Sequence, residues 1–131
     1  MNLVDSSGWL EFLTDGSNAG FFEKPLSDPP GLIVPTVCLF EVFKVVLRER
    51  GEDSAIQAVA LMRQGRIVEL TQTIALKAAR LSLSRKIPMA DSIIAATAEA
   101  TGAVIWTQDE HFQGLPRVEY ISKKTACSNI S

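Results

Sequence analysis

Four acidic residues in this 131-residue sequence stand where a carboxylate needs an explanation: Asp5, Glu41, Asp91 and Asp109. Glu41 lies in the run Val37, Cys38, Leu39, Phe40, Glu41, Val42, Phe43, Lys44, Val45, Val46, Leu47, so a helix there surrounds it with an almost wholly apolar surface. An isolated carboxylate buried in such a surface costs several kcal/mol, so something must compensate it. Asp91 falls in the first turn of a helix, beside its apolar stripe, where the helix dipole also favours an acid. Asp5 and Asp109 each follow an apolar run, Leu3-Val4 and Ala103 to Trp106, and singly each reads as a cap or turn residue. Together the four share one relative place, the end of a strand or the start of the next helix, which would put them on one edge of a sheet.

Carboxylates converging in a partly buried pocket repel one another unless a cation holds them. A hard divalent ion does so, and magnesium prefers a few carboxylates while keeping several waters. Such an ion lowers the pKa of bound water and stabilises charge on a phosphoryl oxygen, so phosphodiester hydrolysis is the natural reaction. The two cysteines, Cys38 in an apolar segment and Cys127 in a polar tail, form neither a disulfide framework nor a zinc pattern, so metal ligands are expected to be mainly oxygens. The formal charge of −2 argues mildly against nonspecific nucleic-acid binding. Setting the four acids aside leaves 11 of the 15 acidic residues against 13 basic ones, so an anionic substrate stays open.

The elements that must position these acids alternate between strand and helix. Met1 to Val4, Leu32 to Val34, Ile67 to Leu70, Ala103 to Trp106 and Val118 to Ile121 read as strands. Trp9, Phe12 and Leu13 make a short amphipathic helix ending near Asp15-Gly16, and Phe21-Phe22 a second one stopped by Pro25, with a loop from Pro25 to Gly31. Thr36 is expected to cap a helix running to about Arg50, with Gly51 as its stop. Glu52, Asp53 and Ser54 open the next, with Ile56, Val59 and Ala60 as its buried stripe and Gly65 as its exit. Thr71 caps a helix whose core face is Ile74, Ala78 and Leu81. After Pro88, Ala90, Ile93, Ile94, Thr97 and Ala98 give the strongest helical periodicity, up to Gly102. The expected fold class is α/β, a parallel sheet with helices on both faces joined by right-handed crossovers, in one domain over residues 1–121 with a disordered polar tail over 122–131. No apolar stretch approaches the roughly 20 residues that cross a bilayer, and no signal peptide is recognisable, so a cytoplasmic protein is expected.

Leu3-Val4-Asp5-Ser6-Ser7, Glu41 after Pro35-Thr36, Met89-Ala90-Asp91-Ser92-Ile93-Ile94-Ala95-Ala96-Thr97-Ala98 and Thr107-Gln108-Asp109-Glu110-His111-Phe112 resemble the successive acidic motifs of PIN domains. Their order and spacing are similar to those of VapC toxins of bacterial toxin–antitoxin pairs, over nearly the whole chain. The resemblance implies a Mg²⁺- or Mn²⁺-dependent endoribonuclease acting on RNA, often a homodimer, inhibited by a small antitoxin protein. By position, Asp5, Glu41, Asp91 and Asp109 match the family's acids, with Asp5, Asp91 and Asp109 as metal ligands. Thr107 matches a hydroxyl residue beside the last acid, and Ser7 stands at a polar position after the first. His111, the only histidine, is read as structural, because metal-activated water needs no imidazole base.

Two other readings remain: a non-catalytic interaction module of the same fold, and a stand-alone RNA-processing nuclease. A degenerate module is expected to lose acids, whereas this chain keeps all four.

Overall fold

Every residue of Leu32–Pro35 is buried, which suits a strand covered on both faces of a parallel sheet. The structure, a computed structural model, describes residues 1–123. Its strands β1 (Asn2–Val4), β2 (Leu32–Pro35), β3 (Arg66–Val68), β4 (Val104–Thr107) and β5 (Val118–Tyr120) form one parallel sheet in the order β3-β2-β1-β4-β5. The helices are α1 (Ser6–Leu13), α2 (Ala19–Leu26), α3 (Thr36–Arg50), α4 (Glu52–Met62), α5 (Gln72–Arg85) and α6 (Met89–Thr101). The fold class is α/β, as the alternation of elements implies.

Chain order and strand order together locate the site. From β1 the chain steps to β2 and then β3; α5 and α6 carry it back past β1 to β4, paired through Leu3↔Ile105 and Val4↔Trp106. Right-handed crossovers then put α1 to α4 against one face and α5 with α6 against the other. The order reverses between β1 and β4, and a crevice opens outside the carboxyl ends of strands at such a reversal. Leu3, Val4, Ile33, Val34, Val42 and Phe112 are wholly buried in the core beneath it. Gly8, in the first turn of α1, is needed there: a Cβ would lie 2.6 Å from the Phe22 ring and 2.7 Å from Val4.

Several local expectations need correction. Helix α2 runs through Pro25 to Leu26; Pro25 sits in the last turn, where it forfeits one hydrogen bond, and Ser27 N–H still reaches Glu23 O at 2.9 Å. The loop after it closes with a 3₁₀ turn over Pro29–Gly31. Pro35, not Thr36, takes the cap position of α3, without a side-chain cap bond. In α4 the buried residues are Ala55, Ala58 and Met62, while Ile56 is 54% exposed and Ala60 is exposed. Small residues let α4 lie close to α3, and this shifts the inner stripe by one position. Strand β3 ends at Val68, short of Leu70, and β5 at Tyr120, short of Ile121. Thr71 does cap α5, through Ile74 N–H at 3.2 Å. Of the polar tail, the Ser122 carbonyl accepts a bond from Asn18 at 3.0 Å; residues 124–131, with Cys127, lie outside the described residues.

Candidate active site

Asp5 leaves β1 and caps α1 in one step: its backbone is extended (φ −72°, ψ 174°) and Oδ1 accepts the Gly8 N–H at 2.9 Å. The side chain is 2% exposed. Ser7 Oγ lies 2.9 Å from both carboxylate oxygens, and Thr107 Oγ1 donates to Oδ2 at 2.7 Å. Three donors thus surround an acid that water does not reach. Burial nevertheless dominates and pushes its pKa up to about 6; the bonds from Thr107, Gly8 and Ser7 oppose the rise, and the charge of Asp109 adds to it.

Asp109 follows β4 and caps the 3₁₀ turn Glu110–Phe112, its Oδ1 accepting the His111 N–H at 2.9 Å. Its own N–H donates to Thr107 Oγ1 at 2.8 Å. Asp91 stands in the first turn of α6. Burial first, then the charge of Asp109, raises its pKa to about 6, against the pull of His111. His111 Nδ1 lies 2.9 Å from Asp91 Oδ2 and 3.1 Å from Asp109 Oδ1. The negative charge of Asp109, with that of Asp91, lifts the imidazole above its ordinary 6.5. Glu41, in the second turn of α3, is half-buried and accepts the Ser6 hydroxyl at 2.6 Å. Buried Cys38 feels the charges of Asp5, Glu41 and Asp91, though burial is the main cause of its raised pKa. The four acids come from the ends or starts of β1–α1, α3, α6 and β4, all at the carboxyl edge of the sheet beside the strand reversal.

Residues 3–118 match the sequence model of the PIN domain. The chain belongs to the PIN domain family. No curated protein sequence matches it. Among solved structures, it is similar to a toxin–antitoxin complex from Klebsiella pneumoniae, with 22% identity over 91% of this chain and 96% of that one and a TM-score of 0.76. It is also similar to VapC20 of Mycobacterium tuberculosis, described as a sarcin-ricin loop cleaving toxin, with 20% identity, 91% and 98% coverage and a TM-score of 0.77. A third is FitAcB from Neisseria gonorrhoeae, with 17% identity, 93% and 97% coverage and a TM-score of 0.70. At these identities the likeness is one of fold.

Within this PIN fold the singled-out residues divide by what they touch. Asp91 and Asp109 meet at His111, Asp5 is joined to Asp109 through Thr107, and Glu41 is held by Ser6. Ser7, expected only as a polar neighbour, is a direct donor to Asp5. Three participants went unread in the sequence: the Ser6 hydroxyl, the Gly8 amide and the His111 imidazole. Ser6 and Gly8 adjoin the first acid within one helical turn, which is a usable signal. His111 differs from its structural reading: Phe112 beside it is wholly buried, while the imidazole turns outward onto two carboxylates. A groove of about 550 Å³ bounded by Gln108, Asp109, His111, Tyr120 and Lys123 runs alongside. Among the described residues no helix is long and apolar enough to cross a membrane.

Proposed function

We propose that this PIN domain is a magnesium- or manganese-dependent endoribonuclease that hydrolyses RNA phosphodiester bonds with metal-activated water, and that it is the toxin of a toxin–antitoxin pair. The observation that carries the reading is the approach of Asp91 Oδ2 and Asp109 Oδ1 to one nitrogen, at 2.9 and 3.1 Å, with buried Asp5 linked to them. The donor set fits a divalent ion. Carboxylate oxygens suit magnesium and manganese, and burial first, then the charge of Asp109, raises the pKa values of Asp5 and Asp91, a cost that a bound cation would offset. Asp5, Asp91 and Asp109 would hold the ion, with Glu41 as the fourth acid of the catalytic set.

When bound, such an ion supplies positive charge against the phosphodiester and makes water a nucleophile near neutral pH. The chain's own residues do the positioning. Ser7, Gly8 and Thr107 fix the Asp5 carboxylate, and Thr107 passes the same constraint to the Asp109 backbone. Ser6 fixes Glu41 at Oε1. Water adds at phosphorus, one P–O bond breaks, and the departing oxygen leaves as a hydroxyl.

The fold likeness to proteins described as a toxin–antitoxin complex and as a sarcin-ricin loop cleaving toxin supports the nucleic-acid-cleaving reading and the antitoxin partner. A homodimer in the cytoplasm belongs to the same reading. The test is cleavage of an RNA panel by the purified chain. EDTA should abolish it, Mg²⁺ or Mn²⁺ should restore it, and Ca²⁺ should do so poorly because it favours longer bonds and higher coordination. Undiminished cleavage in EDTA would end the metal reading.

A further inference from the structure

Around the acids, one side chain has a donor atom that the oxygen-only reading leaves unused. His111 Nδ1, Asp91 Oδ2 and Asp109 Oδ1 can be taken as three ligand atoms lying within 4.8 Å of one another. The nitrogen-to-oxygen separations are 2.9 and 3.1 Å. Neighbouring ligands on an octahedral ion with bonds of about 2.1 Å stand about 3 Å apart. The separations between the imidazole and each carboxylate, here spanned by hydrogen-bonded ion pairs, match the edges of such a coordination polyhedron.

The direction of the imidazole is set by the backbone. Asp109 caps the 3₁₀ turn through the His111 N–H at 2.9 Å, and Phe112, wholly buried, anchors the turn one residue on. With those two neighbours fixed, the ring has little choice but to lie along the carboxylates. Its side chain is 48% exposed, so the opposite edge of the ring faces solvent. Solvent access of this kind leaves room for the waters that complete a coordination shell.

We propose that His111 is a further metal ligand through Nδ1, beside Asp91 and Asp109 of the acidic set, so that the centre favours manganese over magnesium. The inference rests on the metal reading above and adds the ligand that sets the ion's identity. Magnesium is held by hard oxygens and gains little from imidazole, whereas first-row transition ions accept a nitrogen readily. Imidazole in place of one water raises the affinity for manganese while leaving magnesium nearly unaffected.

The probe is Mn²⁺ alone, added to the full metal-free chain and followed by electron paramagnetic resonance. Wild-type protein should show ¹⁴N modulation from a directly bound imidazole. His111→Gln, shown to be folded by its far-ultraviolet circular dichroism, should lose that modulation. Its Kd for Mn²⁺ should rise about tenfold or more, the scale seen when metal-site support is removed, while the Kd for Mg²⁺, measured by competition, should change by less than about twofold. Mn²⁺ bound tightly by the wild type without ¹⁴N coupling would overturn the proposal and leave the oxygen-ligated nuclease standing. No Mn²⁺ binding by the wild type would overturn both.

Discussion

Thr107 Oγ1 donates its proton to Asp5 Oδ2 at 2.7 Å and itself accepts the backbone N–H of Asp109 at 2.8 Å. One side chain at the end of β4 therefore ties together two acids that are 104 residues apart in sequence. Neither acid can shift along the sheet edge without breaking a bond to Thr107. Coupling of this kind fixes the separation of charges before any ion arrives.

Thr107→Val tests that link while nearly conserving volume. It removes a donor from a buried carboxylate and leaves the Asp109 amide without its acceptor, and each such loss typically costs about 1–3 kcal/mol. The Thr107 bond lowers the Asp5 pKa, so its loss should raise that pKa further. The variant should therefore melt several degrees lower at pH 7.5, with a smaller deficit at pH 4.5, where Asp5 is protonated. An equal deficit at both pH values would detach Thr107 from the Asp5 charge.

Asp5 itself predicts a pH dependence of stability in the metal-free protein. Its folded pKa, about 6, stands above the ordinary 3.8, so the folded state holds the proton more tightly than the unfolded chain. Its contribution is fully present below about pH 4 and is lost as pH rises through about 6. A shift of about two units corresponds to about 3 kcal/mol. Asp91 shifts the same way and adds to the fall over the same window. Denaturant midpoints at pH 4.5 and 7.5 should differ less in Asp5→Asn than in wild type, whatever the variant's absolute stability. Saturating Mg²⁺ should also shrink the wild-type difference, because the ion favours the charged carboxylates. Parallel pH profiles for wild type and variant would contradict the burial argument.

The edge on which the acids meet was legible in the sequence because it follows from chain order: the apolar runs Leu3-Val4 and Ala103 to Trp106 lead to Asp5 and Asp109, and Asp91 opens the helix that begins after Pro88. Thr107 was legible only through the family resemblance, since the apolar run that reads as the strand stops at Trp106, whereas the strand extends to Thr107. The depth of Asp5 was not, since its 2% exposure goes with bonds to Thr107 and to the Trp106 carbonyl on β4, which a local window does not contain. Nor was the inner face of α4: hydrophobicity favoured Ile56, but close approach to α3 favoured Ala55 and Ala58. The contacts of His111 were not legible, because residue type says nothing of its direction, and the ring meets Asp91 and Asp109 only through the 3₁₀ turn that Asp109 caps.

As the only histidine in the chain, His111 can be watched directly by nuclear magnetic resonance. Its pKa in the metal-free protein should exceed the ordinary 6.5, with the charge of Asp109 the largest cause and Asp91 contributing by hydrogen bond and charge. Asp109→Asn should lower it more than Asp91→Asn does. The sign for stability follows: a raised histidine pKa contributes below about 6.5 and is lost as pH climbs through the folded value. A titration at or below 6.5, unmoved by either substitution, would mean that the imidazole does not sit between the acids in solution.

Asp91→Asn separates site from scaffold. The amide keeps the size of the side chain and much of its compatibility with the first turn of α6, but removes the charge a divalent ion requires. Cleavage should fall nearly to background. Stability should move the other way in the metal-free protein near pH 7.5. Burial and the charge of Asp109 outweigh the His111 bond in setting the Asp91 pKa, so its ionised form is a net burden on the fold. Neutralising it should leave the melting temperature unchanged or raise it by a few degrees. Added Mg²⁺ should then stabilise wild type and leave the variant where it was, because an ion stabilises only the state that binds it. A capping aspartate with no part in chemistry would give the reverse, with cleavage retained and the melting temperature lowered. Rate and melting curve measured on the same sample, with and without Mg²⁺, therefore decide whether Asp91 belongs to the site.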